Sequence, residues 1–119
     1  MSYLEDRFEL LLKVEKIRYE REFKFHPVRK WRFDFVIEPE LIYTKPGMLL
    51  AVEVEGGIFM QGRHNRGNGM LADMEKYNAA TVMGWRILRY STPQLGSVAI
   101  DQINQIRDQH LCLANRTKV

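Results

Sequence analysis

The run Met48 to Glu55 constrains the fold most: Leu49, Leu50, Ala51, Val52 and Val54 are apolar, while Glu53 and Glu55 are charged. So short and apolar a run reads as a strand at the centre of a sheet. Side chains alternate along a strand, so Val52 and Val54 share one face and Glu53 and Glu55 the other. A second run, Trp31 to Ile37, reads as another strand. There Phe33 and Phe35 are expected to bury on one side while Asp34, a residue type disfavoured in strands, stands on the other. If the two strands are neighbours, three acids converge on one face. Close carboxylates repel one another and shift each other's pKa unless a cation sits among them, so the pattern asks for a divalent metal.

Around these strands the chain predicts a helix over residues 3–21, with Leu4, Phe8, Leu11 and Leu12 on one stripe and Ser2 and Glu5 at capping-box spacing. Arg21 to His26 alternates phenylalanine with charge and predicts a strand that Pro27 ends or confines to an edge. Turn residues Glu38-Pro39 and Lys45-Pro46-Gly47 bracket an irregular connection. Gly56 to Gly69 is a loop with five glycines. Leu71 to Met83 predicts a second helix with Gly84 at its C′ position, and Trp85 to Tyr90 a fourth strand. Thr92-Pro93 supplies an N-cap and a first-turn proline for a last helix reaching about Leu113, its apolar side formed by Ile100, Ile103, Ile106 and Leu111. The order is helix, three strands, helix, strand, helix.

At 119 residues the chain has room for one core, spanning 1–119 as a single domain. A net charge of +3 permits nucleic acid as a partner without requiring it. Cys112 is the one cysteine, which leaves no intrachain disulfide and no zinc-ribbon spacing and makes a reducing cytoplasm the default expectation. The first residues lack the basic and apolar regions of a signal peptide, and no run approaches the roughly 20 apolar residues of a membrane span.

Several side chains suit phosphodiester chemistry. His64, in the glycine-rich loop after the central strand, can accept a proton from an attacking water or bind metal, or it is simply a surface residue. Arg63 and Arg66 flank it and suit phosphate contacts, although a solvated charged loop accounts for them too. Asp73 and Lys76 share a helix face. A lysine aimed at the acids can stabilise developing phosphoryl charge; otherwise the two form an ordinary surface pair. Tyr77 reads as core. Glu9 and Glu5 on the first helix can reach a second metal or be solvated. Hard oxygen ligands select Mg²⁺ or Mn²⁺.

The ordered set Glu22-Phe-Lys-Phe-His26-Pro27, Arg29-Lys-Trp-Arg-Phe-Asp-Phe35, Ala51-Val-Glu-Val-Glu-Gly-Gly57, Gly62-Arg-His64, Asp73-Met-Glu-Lys-Tyr-Asn78 and Gly84-Trp-Arg-Ile-Leu-Arg89 resembles the PD-(D/E)XK nuclease superfamily. The nearest likeness is to its small single-domain branch, similar to very-short-patch-repair endonucleases and phage-borne relatives. The resemblance implies an α/β, restriction-endonuclease-like fold with a mixed central sheet flanked by helices. It implies a Mg²⁺- or Mn²⁺-dependent DNA endonuclease, in bacterial or phage-infected cytoplasm, for phage or prophage DNA processing or repair. Asp34 matches the family's strand aspartate and Glu53 the acid of its second motif. Where the family pattern has a lysine two residues later, this chain has Glu55, and Lys76 matches the variant in which that lysine has moved to the following helix. His64 stands where repair-type relatives carry a histidine, and Glu9, with Glu5 as second choice, where they carry an acid on the first helix. The structural-zinc cysteines of some of those relatives are missing.

These readings combine into one expectation. Asp34, Glu53, Glu55 and Glu9 hold metal, His64 and Lys76 assist with protons and charge, and Arg63, Arg66, Arg29 and Lys30 hold DNA. Recognition then comes from DNA structure, from a homodimer or from a protein partner. The competing readings are a non-catalytic DNA-binding module on the same fold and a nuclease subunit active only with a partner.

Overall fold

The computed structural model describes residues 3–41, 49–55, 68–91 and 95–117, with the side chains of 41, 68 and 110–117 left aside. Helix α1, Tyr3–Val14, is followed by strands β1, Tyr19–Lys24, and β2, Arg32–Ile37, and by a short 3-10 turn at Pro39–Leu41. Strand β3, Leu50–Val54, helix α2, Asn68–Val82, strand β4, Arg86–Tyr90, and helix α3, Ser97–Thr117, complete the order. The strands form one mixed sheet in the order β1-β2-β3-β4. β1 and β2 pair antiparallel, as do β2 and β3, whereas β3 and β4 run parallel. The described residues form a small α/β domain with three α-helices, in the element order the sequence predicts. The expected N-cap Ser2 lies outside the described residues; α3 begins at Ser97, with the Ile100 N–H donating to the Gly96 carbonyl, so Thr92 and Pro93 do not open it as the sequence predicts.

The first helix is shorter than its periodicity predicts, and the first strand starts two residues earlier. The cause is a left-handed residue at Lys16, φ 57°. The Lys16 N–H donates to the Lys13 carbonyl at 3.1 Å and the Ile17 N–H to that of Leu12 at 2.9 Å. That pair of bonds is a Schellman ending, and Leu12 and Ile17 supply its apolar contact, both buried in the same core. Helix α2 ends in the same way. Gly84 takes φ +96°, its N–H reaches the Thr81 carbonyl and that of Trp85 reaches Ala80, each at 3.0 Å.

Two cores sandwich the sheet. Phe35, Ile37, Leu50, Val52, Val54 and Tyr90 pack against Phe8 and Leu12 of α1 and Ala99, Ile100 and Ile103 of α3. On the other side Val36, Ala51 and Ile87 join Phe25, Phe33, Trp85 and Ala80 of α2. Phe33 and Phe35 therefore bury on opposite sides, not together as strand alternation predicts. Pairing between β1 and β2 runs Arg21↔Phe35 and then Phe23↔Phe33, so no residue is inserted. Between those pairs Glu22 adopts φ 54°, and this left-handed residue turns the outer hairpin so that Phe23 and Phe33 face α2. Phe33 stacks flat on Phe25 there, with ring centroids 4.0 Å apart.

Candidate active site

The hairpin kink opens a fork in the sheet. Pairing between β2 and β3 stops at Phe35↔Val52, while β3 stays paired with β4 as far as Val54↔Tyr90. Two ladder amides beyond the last pair would be left without partners, which is costly in the interior. Carboxylates fill the gap. The Asp34 N–H donates to Glu53 Oε2 at 2.8 Å, and the Val54 N–H donates to Asp34 Oδ2 at 2.8 Å. Asp34 and Glu53 thus face each other across the fork, as neighbouring strands require.

Glu53 is only 4% exposed. Its other oxygen, Oε1, accepts from Lys76 Nζ at 2.7 Å and from the Tyr77 hydroxyl at 2.7 Å. Both donors come from α2. The Lys76 ammonium is also within 5.6 Å of the Phe33 ring centroid and 5.1 Å of Tyr77's, so two aromatic rings hold it in place. Lys76 is committed to Glu53 rather than to Asp73. Burial and the Glu53 charge raise the Tyr77 hydroxyl pKa well above its ordinary value, so it remains a donor at any physiological pH.

Asp34 is the site's titratable group. Burial first, then the nearby Glu53 charge, push its carboxyl up to about 7, against the lowering effect of the Val54 amide. One lysine faces two carboxylates here, so the pair carries an excess of negative charge in a partly buried place. On the α1 side, Glu5, Glu22 and Asp34 each offer a carboxylate oxygen, and these atoms lie within 4.8 Å of one another. Glu5 is also held by Arg21, at 3.2 Å.

The other expected site residues fall as follows. Glu9 does not join Asp34. It accepts from the Tyr19 hydroxyl at 2.6 Å and from Arg21 at 3.0 Å. Those hydrogen bonds, Tyr19's foremost, hold its carboxyl below the usual range. Glu5, one turn earlier on the same helix face, is the α1 acid that reaches Asp34. Glu55 lies past the end of β3 and turns to Arg89 of β4 in a two-point ion pair, one arm at 2.9 Å. The expected convergence of three acids is therefore a convergence of two, with Glu55 diverted. Arg89 in turn lies over the Tyr77 ring, 4.5 Å from its centroid. Arg29 stands at the β1–β2 turn, bonded to Glu75 of α2 at 3.0 Å, with Lys30 exposed beside it. Arg63, His64 and Arg66 lie outside the described residues.

Two participants were not singled out from sequence. Tyr77 reads as core from sequence, yet its hydroxyl is bonded to the buried acid. Glu22 opens the family-like pattern, but its role follows only from hairpin register: a turn centred on Val28 sets Glu22 across from Asp34. Comparison with protein-family models, with curated proteins and with solved structures finds no match for this chain. Among the described residues no helix is long and apolar enough to cross a membrane.

Proposed function

We propose that the chain is a Mg²⁺- or Mn²⁺-dependent DNA endonuclease whose site is the β2–β3 fork, on a restriction-endonuclease-like sheet. One observation carries the reading. Lys76, from the helix after the central strand, bonds the buried acid Glu53 across from Asp34, so an acid pair and an ammonium meet at one point. That meeting supplies what the resemblance demands despite Glu55 standing in the usual lysine position.

The donor set fits a hard divalent cation. Asp34 and Glu53 are all-oxygen ligands that share one lysine, and burial beside Glu53 pushes the Asp34 carboxyl up, a shift that a bound cation would oppose. Asp34 and Glu53 would hold the ion, with Glu5 and Glu22 near Asp34. When bound, such an ion supplies Lewis acidity at the phosphoryl oxygen and lowers the pKa of water. The chain's own groups do the rest. Lys76 places a fixed positive charge where pentacovalent phosphorus develops negative charge. Glu53 and the two aromatic rings hold that ammonium in position. The Tyr77 hydroxyl fixes the Glu53 carboxylate and gives up no proton.

The reciprocal amide bonds favour a second reading, in which the carboxylates only staple the fork of a DNA-binding module or partner-dependent subunit. Cleavage of supercoiled plasmid and of a branched junction, with Mg²⁺, Mn²⁺ or EDTA, separates the two. Wild type is expected to cut only with metal, and Glu53→Gln, which keeps the size of the side chain but has one accepting oxygen in place of two, not to cut. No cutting of either DNA by folded wild type, alone or with a candidate partner protein, favours the binding module; cutting only with the partner favours the subunit.

A further inference from the structure

The β1–β2 hairpin carries a surface that the fork does not use. Residues 23–33 include Lys24, Arg29, Lys30 and Arg32 and not one acid, in a chain with 15 acidic residues. At its apex Val28 is 82% exposed. The tip is built rigidly for so exposed a segment. His26 Nδ1 accepts the N–H groups of Val28 and Arg29, at 3.1 and 2.9 Å, closing the turn from inside. Trp31 stacks on Phe25, itself stacked on the fully buried Phe33. The Arg29 guanidinium lies 4.0 Å above the Trp31 ring centroid and bonds Glu75, which ties the turn to the helix bearing Lys76. Lys24 sits opposite Arg32 in the ladder, and neither Lys24 nor Lys30 has an ion-pair partner among the described residues.

We propose that this hairpin grips the phosphate backbone of duplex DNA to one side of the phosphate held at the fork, with Val28 seated against the groove. The proposal rests on the nuclease reading for the position of that phosphate. Arg29 lies in the turn before β2, five residues ahead of Asp34 in sequence, so the hairpin tip and the fork belong to one β1–β2 hairpin. Cations held on a stiff apolar frame suit a polyanion with regular spacing, since little side-chain order is lost on binding. A single exposed valine is too little apolar surface for a membrane anchor.

The test is fluorescence anisotropy of the full chain with a labelled duplex in EDTA, over a range of salt. For Lys24→Ala/Lys30→Ala the slope of log affinity against log salt should fall by about 1.8, and affinity at about 0.1 M salt by about 60-fold. Arg7→Ala/Lys13→Ala removes the same net charge from α1 and should leave the slope unchanged. Equal slopes for the two double variants overturn the hairpin's role and leave the nuclease reading standing. The expected slope loss in a protein that never cuts DNA overturns the nuclease reading and leaves the grip standing. Failure of wild type to bind duplex, or equal competition by poly-glutamate, overturns the hairpin as a DNA surface.

Discussion

Two clusters of carboxylates around a cation lie about one strand apart in this molecule, and they behave oppositely. Beside α1, Arg21 bonds Glu5, Asp6 and Glu9 at 3.2, 2.9 and 3.0 Å. Burial opposes the guanidinium charge, yet the three carboxylates outweigh it and push the pKa up. Glu9 is likewise held ionised, and the Tyr19 hydroxyl beside it is pushed up to about 12. The Arg21 and Glu9 charges are both stabilised where they stand. At the fork, Lys76 satisfies Glu53 but Asp34 is pushed towards its neutral form. The first cluster is a strut between helix and sheet; the second has an acid whose charge lacks a counter-charge. On the proposed reading, a functional carboxylate is marked by unmet electrostatic demand rather than by the number of acids nearby.

The largest effect that sharpens this contrast is catalytic. Lys76→Met keeps an apolar stem against Phe33 and Tyr77 and should lower the rate of metal-dependent cleavage by about 100-fold or more. Glu9→Gln, in the strut, should leave it within about twofold. Similar losses in both would erase the distinction. Next comes stability. Arg21→Met leaves three acids facing one another in a half-buried place and should cost about 2 kcal/mol in urea unfolding, with cleavage per folded molecule retained. A variant as stable as wild type would show the strut to be ornamental. Smallest is the effect of Lys16→Gly, which relieves a left-handed backbone at the end of α1. It should raise stability by about 0.5–1 kcal/mol without altering cleavage, since α1 carries the strut and only the periphery of the fork.

The two helix endings also show what a sequence can and cannot reveal. Gly84 is legible as the C′ residue of α2 because glycine takes a positive φ without steric cost. Lys16 occupies the same geometry in α1 with a side chain that advertises nothing, so periodicity carries the predicted helix through it. The strand alternation that predicts Asp34 opposite Glu53 works because the β2–β3 register is regular up to Val52. It fails at Phe33, where Glu22's backbone breaks the period in a way no propensity signals. Helical periodicity places Glu5 and Glu9 on one face but does not say which turn meets the sheet. That Lys76 turns to Glu53 is one of two options the sequence leaves open, the other being Asp73 on the same helix face, and Tyr77's hydroxyl bond shows only in the fold, because a tyrosine's apolar ring and polar tip fit either role.

The central claim is that Asp34 is kept for a cation and not for the fold. The most direct measurement is the thermal midpoint of wild type and Asp34→Asn at pH 5 and pH 8, with and without Mn²⁺. Asp34's folded pKa lies above its unfolded value, so the native state binds the extra proton and wild-type stability falls as pH rises from about 4 through about 7. Asparagine still accepts the Val54 N–H and has no charge to hold. Without metal, Asp34→Asn should therefore gain on wild type between pH 5 and pH 8. Because proton and cation compete for Asp34, Mn²⁺ should raise the wild-type midpoint more at pH 8 than at pH 5, and barely move the variant. An asparagine variant that loses ground to wild type at pH 8, with Mn²⁺ shifting both proteins equally, would contradict the account and leave the carboxylates as a staple.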